Sequence, residues 1–427
     1  MIKLLIIADD FTGALDTGIQ FVKKGIETQV IIGTQLNQPS ISATAQVLVV
    51  DSETRPMTGR EAYSVIRQIV RQAVEMGIEV IYKKTDSALR GNPGSELSGV
   101  LDGASGGRLY FLPAFPDINR ITEKGIHYID GVKLEDSEFG RDPFEPVTCS
   151  CIPEILAMQT GKRIVCVERG QEIPAAGRMP EIVVLDASEN EDVWQRAVQL
   201  SRNGELKLLA GCAGFAAFLP EVMGLTGSYR EEIFRTECFL VTCGSLNPIT
   251  RQQVEYAEKH GFSRVSLLPQ QKLCPDYYDQ ETGAAFLGRL EALCRKERRL
   301  ELDSFDQEGQ ESTMEYAARN GIDSEAVRFT ISRCYGRLVK QLTMRGLDST
   351  VLMTGGDTLM GLMKELGVNQ LCPVAEVGQG TVLSRLYWNG RVLQVISKSG
   401  GYGELDVFVR AADQTQKYLV QQDDMAG

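Results

Sequence analysis

The chain opens Met1-Ile2-Lys3-Leu4-Leu5-Ile6-Ile7-Ala8-Asp9-Asp10-Phe11-Thr12-Gly13-Ala14. The apolar run Leu4 to Ala8 has the length and composition of a strand covered on both faces. It stops at two adjacent carboxylates, and Thr12-Gly13 then begins a helical pattern that Gly25 closes. Open α/β sheets bind ligands outside the carboxyl ends of their strands, so Asp9 and Asp10 stand where chemistry is expected. One Asp suffices to cap a helix. A second beside it costs repulsion unless a cation, a proton or a ligand hydroxyl offsets it. Function therefore outweighs capping at this pair.

Outward from this stretch, strand and helix signals alternate. Strands are expected at Ile2–Ala8, Thr28–Gly33, Gln46–Val50, Glu79–Lys83, Arg108–Leu112, Arg163–Val167, Glu181–Leu185 and Lys207–Ala210, with helices such as Arg60–Met76 and Asp192–Asn203. That alternation predicts a mostly parallel, doubly wound sheet. The pattern breaks over Leu219–Glu237, where Pro220, Gly224, Gly227 and Arg230-Glu231-Glu232 predict a linker. A new strand starts at Cys238–Thr242, and Asn247-Pro248 gives the following helix an N-cap and a first residue. Near the end, Asn389-Gly390 between two β-rich runs, Thr381–Tyr387 and Val392–Ser397, predicts a tight hairpin. Leu300–Ser312 is polar and acidic and is expected to be a surface loop. The expected organisation is two α/β domains, 1–225 and 238–420, the second with the hairpin near its end.

Composition narrows the function classes. At 427 residues the chain exceeds one ordinary core. A net charge of −12 argues against a general nucleic-acid or membrane-surface binder. The basic run Arg295-Lys296-Glu297-Arg298-Arg299 is short and reads as a solvated helix face. No secretory signal or membrane span is expected, because Asp9-Asp10 ends the first apolar run too early. Ten scattered cysteines, with Cys149 and Cys151 the one close pair, and two histidines, His127 and His260, argue against structural zinc and for a reduced, cytoplasmic protein.

Three strand ends in the first half carry polar clusters: Asp9-Asp10, Asp51-Ser52-Glu53-Thr54-Arg55, and Lys83-Lys84-Thr85-Asp86-Ser87-Ala88-Leu89-Arg90-Gly91-Asn92. If the strands are neighbours, the clusters converge. Arg55, Lys84 and Arg90 would suit a carboxylate, and Asp10 and Asp86 would accept from hydroxyls, which describes a pocket for a small polyhydroxylated acid. A salt-bridge network is the plainer alternative. The candidate substrate-binding set is Asp9, Asp10, Arg55, Lys83, Lys84, Thr85, Asp86, Ser87 and Arg90. In the second half, glycine-bearing turns stand at Cys243-Gly244-Ser245, Thr354-Gly355-Gly356-Asp357-Thr358 and Lys398-Ser399-Gly400-Gly401-Tyr402-Gly403. Any one is ordinary turn chemistry. Together they favour a nucleotide site, because glycine lets backbone N–H groups approach phosphates at a helix start. The candidate nucleotide-binding residues are Gly244, Ser245, Gly355, Gly356, Asp357, Thr358, Gly400 and Gly401. Neither a P-loop nor a dinucleotide fingerprint occurs.

Taken jointly and in order, Ile7-Ala8-Asp9-Asp10-Phe11-Thr12-Gly13-Ala14, Lys84-Thr85-Asp86-Ser87-Ala88-Leu89-Arg90-Gly91, Gly244-Ser245 with Pro248-Ile249-Thr250-Arg251, Thr354-Gly355-Gly356-Asp357-Thr358 and Lys398-Ser399-Gly400 resemble the four-carbon acid sugar kinase family. Asp16-Thr17-Gly18-Ile19-Gln20-Phe21 resembles its D-threonate branch. Gly401 stands where members often have Asn, and Cys274–Asn320 matches no part of the pattern. The resemblance implies an N-terminal sugar-acid-binding domain, a C-terminal nucleotide-binding domain, and transfer of phosphate from ATP, with Mg²⁺, to the C4 hydroxyl of D-threonate, D-erythronate or a 3-oxo acid. Phosphoryl transfer needs positioning and charge neutralisation more than covalent help. On this reading Arg55, Lys84 and Arg90 hold the substrate carboxylate, and a site between the domains closes to exclude water. Asp10, Asp86 and Asp357 are the candidate catalytic carboxylates, Asp10 foremost and Asp357 by its likeness to the ribokinase arrangement. No residue is assigned as a metal ligand, and the sequence does not set whether a homo-oligomer forms.

Rival classes are weighed on the same residues. A D-x-D-x-T phosphatase fails because Ala8 holds the nucleophile position. A receiver-like phospho-acceptor on Asp51, with Asp9-Asp10 and Lys83, leaves the glycine turns unexplained, and a silent acid sensor would bind without turnover.

Overall fold

Runs such as Leu4–Ala8, Val47–Asp51 and Glu181–Leu185 have no polar face to offer water, so they are buried throughout and lie inside a sheet. The computed structural model describes residues 2–36, 41–142, 146–230, 232–245, 247–401 and 403–417. Met1, Leu246, Tyr402 and 418–420 of the expected elements lie outside the described residues. The chain divides into two units, Met1–Tyr229 and Arg230–Gly427.

The first unit contains β1 (Leu4–Ala8), β2 (Thr28–Ile32), β3 (Val47–Asp51), β4 (Val80–Lys84), β5 (Arg108–Leu112), β6 (Arg120–Glu123), β7 (Ile126–Ile129), β8 (Val132–Lys133), β9 (Arg163–Val167), β10 (Glu181–Leu185) and β11 (Leu208–Gly211). Eight of these form a parallel sheet in the order β2-β3-β1-β4-β11-β5-β10-β9. The remaining three, β6, β7 and β8, make a small antiparallel sheet that alternation in the sequence did not predict. They have two to four residues each, too few for a periodic signal. From β1 the chain runs to β2 on one side, and from β4 to β5 on the other. The β1/β4 boundary is therefore the switch point, where a crevice opens at the carboxyl ends. Helix α1 (Phe11–Val22) follows β1, α2 (Gly59–Glu75) follows β3, and α3 (Pro93–Gly103) follows β4. The amphipathic α2 turns Ala62, Ile66, Ile69, Val70 and Ala73 inward.

The second unit repeats the logic with β12 (Cys238–Cys243), β13 (Ser263–Ser266), β14 (Arg299–Asp303), β15 (Ser349–Thr354), β16 (Gln370–Gly378), β17 (Thr381–Trp388) and β18 (Arg391–Lys398). Within this unit the order is β13-β14-β12-β15-β18-β17-β16, parallel except for the β16-β17-β18 meander. The switch point falls at β12/β15. Asn389 (φ 48°) and Gly390 (φ 74°) take the left-handed conformations that a two-residue hairpin turn needs.

One expectation is corrected. Leu300–Ser312 is not wholly a loop: β14 occupies Arg299–Asp303, and only 306–311 is exposed. Leu300 and Leu302 supply the apolar face. Glu301, paired in register with Arg264 and Val241, is buried with it, and burial pushes its carboxyl up to about 9. A neutral carboxylic acid can occupy a strand interior that a charged one would not. Among the described residues no helix is long and apolar enough to cross a membrane.

Candidate functional site

Register brings the three polar clusters of the first unit together. Ala8 pairs with Asp51 on one side and with Lys84 on the other, so Asp9-Asp10, Ser52–Arg55 and Thr85–Arg90 leave the sheet side by side at the switch point. Asp10 does cap α1, its Oδ1 accepting from the Gly13 N–H at 2.9 Å. Its other oxygen, Oδ2, lies 2.9 Å from Arg55 Nη1. Asp9 Oδ2 accepts from Arg55 Nε at 2.7 Å, and Asp86 Oδ1 lies 3.4 Å from Arg55 Nη2. Asp86 is also held by Arg90 in a two-pronged pair, Nε to Oδ2 at 2.8 Å and Nη2 to Oδ1 at 2.9 Å. Gly13 matters here because a Cβ would stand 2.7 Å from Lys84 Nζ, closer than real contacts allow. Lys84 Nζ donates to the Thr85 carbonyl at 2.8 Å.

Charge follows this geometry. Burial alone would raise the Asp9 carboxyl, but Arg55, Lys83 and Lys84 outweigh it and hold it below its ordinary value. Burial is likewise outweighed at Asp86, which Arg90 and Arg55 hold well below the usual range. Asp51 is fully enclosed, and burial pushes its carboxyl well above the usual range. An Asp51 enclosed to this degree cannot be reached by a phosphodonor, so the receiver-like alternative loses its target. Lys83 is also fully enclosed, 3.2 Å from Glu96 Oε2, and Glu96 additionally accepts from Thr54 Oγ1. Lys83 thus serves the scaffold, while Asp9, Asp10, Arg55, Lys84, Asp86 and Arg90 form one cluster. Among the described residues the buried oxygens Asp9 Oδ1 and Thr85 Oγ1 have no hydrogen-bond partner, the usual mark of a group that meets water or a ligand.

The expected carboxylate anchors are therefore less free than their residue types suggested: Arg55 faces three carboxylates, and Arg90 is engaged by Asp86. The structure adds two residues that the strand-end reading missed. Arg120, at the start of β6, donates to Ser87 Oγ and lies over the Phe139 ring at 5.0 Å. His127, on β7, bonds the Ser87 carbonyl through Nε2 at 3.0 Å and Thr122 Oγ1 through Nδ1 at 3.1 Å, and burial pushes its pKa down to about 4. Arg120 could have been found by extending the strand-end rule past β5.

In the second unit Cys243, Thr354 and Lys398 end three adjacent strands in one register row. The glycine turns therefore emerge together at β12/β15/β18. Gly355 (φ 89°) donates its N–H to the Lys398 carbonyl at 2.7 Å and leads into the helix Gly356–Leu366. Thr358 Oγ1 is tied back to the Thr354 carbonyl at 2.8 Å. A Cβ on Gly244 would meet Thr358 Oγ1 at 2.4 Å, and one on Gly400 would meet Ser245 Oγ at 2.5 Å. Thr250 Oγ1 bonds the Gly400 carbonyl, and Asn247 caps the helix Pro248–Lys259. Gly244, Ser245, Thr358, Gly400 and Gly401 are thus packed against one another. Gly356 opens its helix, and Asp357 turns outward to an exposed pair with Arg328 at 3.1 Å. Lys398, buried beneath the turn, is pushed down to about 8 by desolvation.

A sugar-binding N-terminal domain family matches residues 4–219, and a nucleotide-binding C-terminal domain family matches residues 240–408. The D-threonate kinase of Bordetella bronchiseptica is 30% identical over 417 residues, covering 95% of this chain and 96% of the relative. The D-threonate kinase of Salmonella typhimurium is 27% identical over 413 residues, covering 94% and 95%. A crystal structure of a Salmonella typhimurium LT2 protein superposes with a TM-score of 0.77 over 96% of this chain and 99% of its own, at 20% identity, which speaks for the fold alone. With the two domain families matching 4–219 and 240–408 in turn and a relative 30% identical over 95% of the chain, the chain belongs to the four-carbon acid sugar kinase family.

Proposed function

We propose that this protein is an ATP-dependent kinase that phosphorylates the C4 hydroxyl of a four-carbon sugar acid, D-threonate foremost. The observation that carries the reading is the convergence of Asp9, Asp10 and Asp86 with Arg55, Lys84 and Arg90 at the first unit's switch point, with Asp9 Oδ1 and Thr85 Oγ1 buried and, among the described residues, unpartnered. Such a polar, preorganised crevice suits a small molecule rich in hydroxyls. The names of the relatives supply the chemistry, and the D-threonate kinases among them supply the first substrate to test.

In the proposed mechanism Asp10 orients the attacking hydroxyl and takes its proton. Its side chain keeps 29% exposure, whereas Asp86 is clamped between two guanidiniums that depress its basicity. Asp357, paired with Arg328 at the surface, ranks below Asp10. Gly244-Ser245, Gly355–Thr358 and Gly400-Gly401 would form the seat of the ATP phosphates, Gly355 shaping its turn through the Lys398 carbonyl and the N-terminus of the helix Gly356–Leu366 supplying N–H groups. Among the described residues no three His, Cys, Asp or Glu side chains form a metal cage. That donor set fits Mg²⁺ carried by the nucleotide phosphates, with hydroxyl oxygens such as those of Ser245 and Thr358 nearby. Bound there, it neutralises charge on the transferring group.

The test is ADP release from ATP and Mg²⁺ with D-threonate, L-threonate, D-erythronate, L-erythronate and their 3-oxo acids. Turnover of one acid confirms the kinase and names its substrate, while ATP binding without turnover on any of them refutes the reading.

A further inference from the structure

Several charges around the first unit's switch point are held in ion pairs. Asp9, Asp10 and Asp86 face Arg55 and Arg90, and Glu96 faces Lys83. His127, lowered to about 4, adds no positive charge near neutral pH. Among the described residues two cations here stand outside those pairs: Lys84, a point charge whose Nζ donates to the Thr85 carbonyl at 2.8 Å, and Arg120, which offers a planar fork. Among the described residues Arg120 has no carboxylate partner. Its guanidinium is held by the neutral Ser87 hydroxyl and by the Phe139 ring, which Arg90 shares at 5.2 Å, and Arg120 Nε is buried with no acceptor among the described residues.

The support behind Arg120 is rigid. It pairs with Phe115 by an isolated bridge and with Ile129 in the small sheet, and that sheet is pinned where Thr122 bridges Ala187. His127 fixes the Ser87 carbonyl from the same sheet, so hydroxyl and guanidinium are set against each other. A half-buried guanidinium with an idle Nε is the fork geometry that takes a carboxylate through two parallel bonds. The arginines that looked suited to that task are already occupied by Asp9, Asp10 and Asp86.

We infer that Arg120, presented by the small β6-β7-β8 sheet beside Ser87, binds the substrate's carboxylate and thereby selects sugar acids over uncharged polyols. This assignment rests on the kinase reading above. It leaves the Arg55–Arg90 network to hold Asp9, Asp10 and Asp86 in place.

The experiment compares kcat/KM for the acid that the wild-type chain turns over, D-threonate first, with that for the matching polyol, D-threitol, in wild type, Arg120→Met and Arg120→Lys. Loss of a charge-assisted, two-pronged contact predicts that Arg120→Met lowers the acid-over-polyol preference by about 30-fold, chiefly through KM for the acid. Arg120→Lys, which keeps the charge without the fork, recovers part of it and stands in should the Met variant fail to fold. Should either folded variant keep the wild-type preference, or lose both substrates equally, the assignment is overturned and the kinase stands. Absence of turnover on any acid by wild type overturns the kinase reading and this assignment with it.

Discussion

Arg55 is the electrostatic keystone of the first unit, and Arg55→Met tests that role. The guanidinium lies 2.7, 2.9 and 3.4 Å from Asp9, Asp10 and Asp86, and these four side chains keep only 12%, 3%, 29% and 9% of their exposure. Removing one partner from a buried ion network leaves uncompensated charge and costs about 3–5 kcal/mol. The exposed Arg328–Asp357 pair, at 3.1 Å, is worth at most about 1 kcal/mol. The pH dependence gives the sharper signature. In wild type the carboxyls of Asp9 and Asp86 are depressed, so their contribution is present above their unfolded values and lost only as pH falls through the lower folded ones. In the variant, burial acts on Asp9 with its strongest opponent gone and only Lys83 and Lys84 left against it, so its folded pKa moves up from the depressed wild-type value. The stability Asp9 contributes above its unfolded value shrinks accordingly. The gap between variant and wild type should be widest near pH 7 and shrink, by about 1.4 kcal/mol per pH unit, as pH falls from the variant's folded value to the wild-type one. Trp194 lies in the first unit and Trp388 in the second. Urea titrations followed by Trp194 fluorescence in a Trp388→Phe background therefore read the right unit. A loss below about 1 kcal/mol, the range of a surface pair, or a gap that does not shrink as pH falls from 7 into the acid range where these carboxyls titrate, would refute the reasoning.

The remaining predictions concern the two ends of the reaction. Asp10→Asn keeps the helix cap, since Asn serves as well as Asp, but removes the proton acceptor. It should lower kcat by about 10²- to 10⁴-fold with ATP binding intact, and turnover that survives would pass the role to Asp86 or Asp357. Gly400→Ala would push a Cβ to 2.5 Å from Ser245 Oγ. Titration calorimetry should show ATP affinity falling about tenfold, roughly 1.4 kcal/mol, with the sugar acid bound as before, and unchanged ATP affinity would remove Gly400 from the nucleotide site.

Much of the fold was legible because its signals are local. Continuous apolar runs such as Leu4–Ala8 can be satisfied only inside a sheet, and Asn247-Pro248 and Asn389-Gly390 carry their turn geometry in their own side chains and backbone. The short strands β6, β7 and β8 and the charged β14 escaped, because a strand of two to four residues has no period, and Glu301 is tolerated in β14 only through burial beside Arg264.

By itself the sequence determined which residues end the strands, and hence that Asp9, Asp10, Arg55, Asp86 and the glycine turns lie at carboxyl ends where ligands bind. The tertiary structure alone decided how those charges are spent. Strand order put β3, β1 and β4 side by side, and at separations near 3 Å in a buried setting each arginine is claimed by the nearest carboxylate. Which cation is left over depends on which pairs form across the sheet, and that is a property of distances no linear pattern contains. It engaged Arg55 with three carboxylates and left Arg120, thirty residues beyond Arg90, beside Ser87 without a carboxylate among the described residues.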